Sequence, residues 1–297
     1  MFLTAEKLEK RIEQLDGLRY RLDSAVSIAP FRRVQAEADR LDGPRAADGP
    51  GAADGPGPAE GAAYGVAASP SATAVAVGEA WRPRGDDTWL RSAFEIPEAW
   101  KGEMVVGLVR LSRTGSGFAD GVEAMVYLDD EPYQGIDANH AEIYFAPHHI
   151  ARPIELSLRV WGGEYGHRRD DPVPVEFRLE SAVVTVVDTA ADDLYFTALA
   201  AHGSLGVLSE GSWERTRLEA ALDAAFLLID WRVPGSAEFY RSVAEANGDL
   251  HRRLAALHSD SQVEVRCVGH SHIDVAWLWR LSDTREKAAR TFSTVLR

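Results

Sequence analysis

Apolar residues recur at steps of three and four near the start of the chain, and at steps of two through its middle. Leu8, Ile12, Leu15, Leu18, Leu22 and Val26 form one stripe, with Glu9, Lys10, Arg11 and Glu13 off it. That spacing predicts an amphipathic helix from residue 4 to about 40, capped by Thr4 and broken or kinked at Pro30. One apolar stripe has to pack on a later part of the chain, so residues 1–41 form a first unit. Residues 42–73 differ in kind. They carry AADGPG twice, at Ala46–Gly51 and Ala52–Gly57, among small and helix-breaking residues. Such a composition offers almost nothing to bury, and it predicts a disordered insertion.

From residue 74 to 187 the period is two. Ile154, Leu156, Leu158 and Val160 alternate with Glu155, Ser157 and Arg159; Val175, Phe177 and Leu179 alternate with Glu176 and Arg178. Further candidate strands are Thr88–Ile96, Glu103–Leu111, Val122–Asp129 and Glu142–Phe145. They are short, separated by Gly, Pro and Asp, and uninterrupted by helical spacing. That pattern predicts an antiparallel β-sandwich, a jelly roll of the galactose-binding type. Helical spacing returns over 188–259. Ser212 caps a helix with Leu218, Ala221, Leu222, Ala225 and Ile229 on one face, stopped by Pro234-Gly235. A second helix from Ser236 carries Phe239, Val243, Ala246, Leu250 and Leu254.

Residues 260–297 open another unit. Val263, Val265 and Cys267 alternate with Glu264 and Arg266, so a strand is expected there with Cys267 buried and inert. Asp283 then caps a helix, with Glu286 completing a capping box and Ala288, Phe292 and Val295 on its apolar face. No Gly, Asn or Pro stops that helix before Arg297. A strand, a loop and an unfinished helix are the first β-α unit of an α/β barrel-like domain. The expected fold is therefore multidomain α+β, and the expectation is that the chain is the N-terminal fragment of a longer protein.

The 32 basic and 46 acidic residues give a net charge of -14 over 297 residues. An acidic surface repels phosphate backbones, so nucleic acid is not an expected partner. No run approaches the roughly 20 apolar residues of a spanning helix, so no membrane association is expected either. The N-terminus lacks the apolar core of a signal peptide, which makes the cytoplasm the expected compartment. The single cysteine rules out an internal disulfide framework and a Cys-based zinc cage. Neutral ligands such as sugars fit the balance, and homo-oligomerisation is left open.

The local feature that carries chemistry is His270-Ser271-His272-Ile273-Asp274, just past the predicted strand. Active sites in α/β folds are built at that end. Imidazole nitrogen and carboxylate oxygen suit Zn²⁺ or another divalent cation, and alternate residues of an extended segment point to one side. His272 and Asp274 are thus candidate metal ligands, too few by themselves for a closed site. Loop histidines bonded to backbone carbonyls are the plain alternative. A binuclear metallo-β-lactamase pattern requires a His where Val275 stands, whereas an amidohydrolase-type barrel stays open on the local pattern. Among other candidates, His140, His148 and His149 read as surface histidines of β-domain loops. Trp81, Trp89, Trp100 and Trp161 are either a carbohydrate platform or core, and alternation points Trp89 inward.

The stretch from Gly269 to Arg297 resembles the start of the catalytic domain of the α-mannosidases of glycoside hydrolase family 38. The H-x-H-x-D, then Ala276-Trp277-Leu278-Trp279 and Arg290-Thr291-Phe292-Ser293, make a long match. Asp86-Asp87-Thr88-Trp89-Leu90-Arg91 and Val126–Gly135 resemble the β-domain of that family's cytosolic and bacterial branch. The insertion at 42–73 departs from the pattern. The resemblance implies a retaining exo-α-mannosidase acting on mannose-containing oligosaccharides, with one Zn²⁺ or other divalent ion. It implies His272 and Asp274 as metal ligands, and it does not carry His270 over as one. The nucleophile and the acid/base of the family lie later in its sequence, so no catalytic residue is assigned here, and the piece alone is expected to be inactive. Trp277 is a candidate to line the sugar subsite, since aromatic rings cover apolar sugar faces. A non-catalytic carbohydrate-binding or interdomain packing module is the competing expectation.

Overall fold

A computed structural model describes residues 5–28, 30–35, 73–82, 87–114, 122–161, 176–257, 264–275 and 281–296. The repeat-containing insertion expected to be disordered lies outside the described residues.

The first helix, α1 (Ala5–Leu18), buries Leu8, Ile12 and Leu15. It ends there, not near residue 40. Gly17 lowers helix propensity, β-branched Val26 favours extended chain, and Pro30 cannot continue a helix. Leu22, the next member of the stripe, is 50% exposed. The chain instead enters the sandwich through β1 (Val26–Ser27) and β2 (Phe31–Gln35). The remaining strands are β3 (Thr73–Val75), β4 (Ala80–Trp81), β5 (Asp87–Glu95), β6 (Val105–Thr114), β7 (Ala124–Leu128), β8 (Glu131–Ile136), β9 (Glu142–Phe145), β10 (Pro153–Trp161) and β11 (Glu176–Val186).

Two antiparallel sheets result. One runs β1-β11-β6-β9, with β4 also on β11; the other runs β3-β2-β5-β10-β7-β8. Their inner faces share one core that includes Phe31, Leu90, Phe94, Val126, Leu158, Phe177 and Val184. Leu90, Leu158 and Val126 stand opposite one another across β5, β10 and β7, which fixes the register of that face. In β11 the inward set changes parity, from Phe177 and Leu179 to Ala182, Val184 and Val186. The pairing with β6 slips between Leu179 and Ser181, and the extra residue restores the core face. This β-sandwich is the jelly roll that the alternation predicts, and β11 continues well past Leu179.

A strand absent from the expected set is β8. Pro132 and Gly135 give it the look of a turn, but the turn is Asp129-Asp130, where both residues have positive φ. That geometry suits a two-residue hairpin between β7 and β8.

The helical layer consists of α2 (Thr189–Leu205), α3 (Trp213–Leu227) and α4 (Ala237–Ala255). Their caps are short polar side chains: Asp188 accepts from Ala191 N–H, Ser212 from Arg215 N–H and Ser236 from Phe239 N–H. The stripe of α1 packs on this layer, in one cluster with Leu194, Ala198, Leu222, Phe226, Phe239 and Leu250. Arg19 at the end of α1 ties it to α2 through Asp192 at 2.7 Å, and Arg21 reaches the Asp188 cap at 2.8 Å.

The last helix is α5 (Leu281–Val295). It lies on the outer face of the second sheet, over β8 and β7.

Candidate functional site

The segment Glu264–Val275 is irregular chain, and no part of it is a strand. This corrects the strand expectation over Glu264–Cys267; Val263 lies outside the described residues. Period-two alternation becomes a strand only where a neighbouring strand pairs with it, and no described strand pairs with this segment. Val265 and Val268 are exposed accordingly, and so is Cys267, which is not the buried thiol that alternation suggests.

Within that segment His272 and Asp274 do come together. Their side chains are 76% and 45% exposed, and His272 Nε2 lies 3.0 Å from Asp274 Oδ1. An imidazole nitrogen and a carboxylate oxygen this close have either a proton or a cation between them. The pair is thus a fitting fraction of a divalent-metal site and no more. Among the described residues, no group of three or more His, Cys, Asp and Glu side chains converges on one point. Trp277 lies outside the described residues.

The helix that follows is held by a polar seam. Glu123, beside β7, accepts hydrogen bonds from Lys287 Nζ at 2.8 Å and from Arg290 Nη2 at 2.6 Å. Burial works to raise the Glu123 pKa, but the two cations outweigh it and hold the carboxyl below its ordinary range. Arg159 on β10 bonds Asp87 through Nε at 2.8 Å and also pairs with Glu286. Burial, then the neighbouring Asp87 carboxylate, push Glu286 up to about 7 against the pull of Arg159 and Arg290. Gly135 N–H donates to Thr294 Oγ1 at 3.1 Å. Asp283 is consequently not the cap of this helix. It is buried in the first turn, and Glu286 serves Arg159 in place of a capping box. Phe292 and Val295, expected on the apolar face, point to solvent, while the docked face is polar.

Of the four candidate platform tryptophans, Trp100 is partly buried against the sandwich core. Trp81, Trp89 and Trp161 are buried. Trp81 joins the inner core, but Trp89 does not point inward. Its neighbour Leu90 fills the core, while Trp89 pairs across the sheet with Arg159 on the face that α5 covers. It packs there on Tyr127 with ring centroids 5.2 Å apart. His140 and His148 are exposed as expected. His149 is buried: its Nδ1 accepts from Ala146 N–H at 3.1 Å, and its ring meets Tyr133 and Phe145 edge-on. A separate cavity of about 400 Å³, bordered by Arg21, Asp188, Tyr240 and Arg241, includes no residue of the His272 segment.

Glu123, Gly135 and Arg159 were not legible as seam residues. Gly135 carried a signal only once β8 is known to be a strand, where a glycine marks close approach of another backbone.

Comparison with known proteins places both parts of the chain. Residues 262–297 match the glycosyl hydrolases family 38 N-terminal domain, and residues 56–155 match the alpha-mannosidase jelly roll domain. Alpha-mannosidase 2C1 of Homo sapiens is 27% identical over 232 residues, covering 74% of this chain and 21% of the relative. Alpha-mannosidase G of Dictyostelium discoideum is 26% identical over 234 residues, covering 73% and 20%. The chain thus spans about a fifth of the length of the curated relatives it matches.

Proposed function

We propose that this chain, which carries an α-mannosidase jelly roll and family 38 N-terminal sequence, is the N-terminal part of a metal-dependent, retaining exo-α-mannosidase. Its substrate would be terminal α-D-mannose of oligosaccharides, and its compartment the cytoplasm. The family 38 match across residues 262–297, which contain His272 and Asp274, is the observation that carries the proposal. The reach of the two side chains onto one point, 3.0 Å apart, supports them as ligands.

In the full-length protein, His272 Nε2 and Asp274 Oδ1 would hold one divalent ion, Zn²⁺ by donor chemistry, together with ligands from elsewhere in the domain. When bound, the ion would engage neighbouring sugar hydroxyls and favour a distorted ring, selecting mannose by its axial 2-hydroxyl. The chain's own contribution is to bring the two ligand atoms within 3.0 Å of each other, with the proton between them removed. Retention requires a carboxylate nucleophile and a carboxylic acid about 5–5.5 Å apart. Trp277 is proposed to cover an apolar face of the sugar. The buried tryptophans of the sandwich favour the catalytic assignment over a sugar-binding role for the jelly roll itself.

The test is metal content by mass spectrometry and turnover of an aryl α-mannoside, on the full-length protein and on Asp274→Ala. Loss of the ion together with at least a hundredfold loss of turnover is expected. Unchanged turnover in Asp274→Ala would overturn the site. The 297-residue chain is expected to bind Zn²⁺ weakly and to be inactive, because two ligands leave most of the coordination shell to water.

A further inference from the structure

Helix α5 begins shortly after Asp274, so where α5 sits decides where the ligand segment can go. The residues that dock it lie on one side of the helix: Lys287, Arg290 and Thr294 follow at steps of three and four, with Glu286 beside them. Each has a fixed counterpart. Arg159 takes the second turn through Glu286, Glu123 the middle through Lys287 and Arg290, and Gly135 the last turn through Thr294. Three anchors spread along a helix set both its rotation and its position along its axis. A slide by one turn would leave the Arg290 guanidinium, 8% exposed, without its carboxylate.

The closest approach is at Gly135. A Cβ built there would stand 3.0 Å from Arg290 Cβ, 3.0 Å from Thr294 Oγ1 and 3.2 Å from the Arg290 carbonyl oxygen. Two of those three atoms cannot swing aside, because one is backbone and one is a Cβ. Opposite Gly135 in the sheet stands Met125, then Arg159 and then Trp89, so one register row across β8, β7, β10 and β5 forms the bed of the helix. Arg159 itself is braced from below by Asp87 and from the side by the Trp89 ring, 5.9 Å from its guanidinium carbon.

We infer that Glu123, Gly135 and Arg159 are positioning residues: the jelly roll clamps α5 and thereby fixes the approach of His272 and Asp274 to the metal. None of the three touches the ligand pair. The inference rests on the proposed function, and it assigns the sandwich a part in building the site through geometry.

The experiment uses the full-length protein with Zn²⁺, and with Co²⁺ in its place, in wild type, Glu123→Gln and Gly135→Ala. Glu123→Gln keeps the volume and removes the charge; Gly135→Ala inserts one methyl under the helix. Amide hydrogen exchange over 281–295 reads the clamp, and Zn²⁺ affinity with the Co²⁺ visible spectrum reads the site. Both variants are expected to lose protection of α5. Both should bind Zn²⁺ on the order of tenfold more weakly, with a shifted Co²⁺ band and a turnover loss of tenfold to a hundredfold. Protection lost with affinity, spectrum and turnover all unchanged would overturn the positioning role. Protection unchanged in both variants would overturn the clamp. A wild-type protein that binds no stoichiometric metal and turns over no mannoside would overturn the functional proposal, and the positioning role with it, whatever the exchange data show.

Discussion

Arg290 Nη2 lies 2.6 Å from Glu123 Oε2, across the seam between a helix and the outer face of a β-sandwich sheet. Lys287 reaches the same carboxylate, but it is 26% exposed where Arg290 is 8%. The two cations should therefore not be equivalent. Arg290→Ala leaves a part-buried carboxylate short of a partner and should destabilise docking by about 2–3 kcal/mol, whereas Lys287→Ala should cost about 1 kcal/mol or less. Amide exchange over α5 measures both. Equal effects would mean that burial does not rank these contacts.

The Glu286 carboxyl has its own pH signature. Docked, it titrates at about 7; an exposed glutamic acid titrates near 4.3. The docked state holds the extra proton between these values. Its stabilisation is complete below the ordinary value and is lost as pH rises through about 7. Asp87 and Asp283 oppose ionisation, Arg159 and Arg290 favour it, and Tyr127 lies within reach. Protection of α5, corrected for intrinsic exchange, should fall from pH 5.5 to pH 8 in the wild type and stay flat in Glu286→Gln. A Glu286→Gln protein with the wild-type slope would exclude this carboxyl as the source.

Leu15 and Leu22 share one stripe in the sequence and part in the structure. Leu15 is fully buried against the helical layer, and Leu22 is half exposed beyond the end of α1. Leu15→Ala should cost about 2–5 kcal/mol in urea unfolding, and Leu22→Ala at most about 0.5 kcal/mol. Comparable losses would mean that the helix runs on past Leu18.

Sugar should not perturb the sandwich tryptophans. With Trp81, Trp89 and Trp161 buried, the indole N–H resonances of all three are expected to stay in place when the 297-residue chain is titrated with mannose. Saturable shifts of Trp89 or Trp161 would restore the carbohydrate platform.

Features that depend on near neighbours are legible in the residues alone. Period two through Ile154, Leu156, Leu158 and Val160 demands a face, and a sandwich supplies it. Ser212 and Ser236 cap helices because a short hydroxyl reaches the third amide on from wherever it stands. His272 and Asp274 are two residues apart, near enough along the chain for their side chains to meet.

Tertiary structure decided the rest. The alternation at Val265 and Cys267 is as regular as that of β10, but a strand also needs a partner for its amides, which lies beyond local pattern. Trp89 and Leu90 are both candidates for the inside, and only the register with β10 shows which one the core takes. The polar face of α5 reads as solvent-facing until the sheet beneath it is known to offer Glu123, Arg159 and a bare glycine. Charges on a helix are cheap to expose and cheap to pair. Which of the two happens is settled by residues more than a hundred positions away.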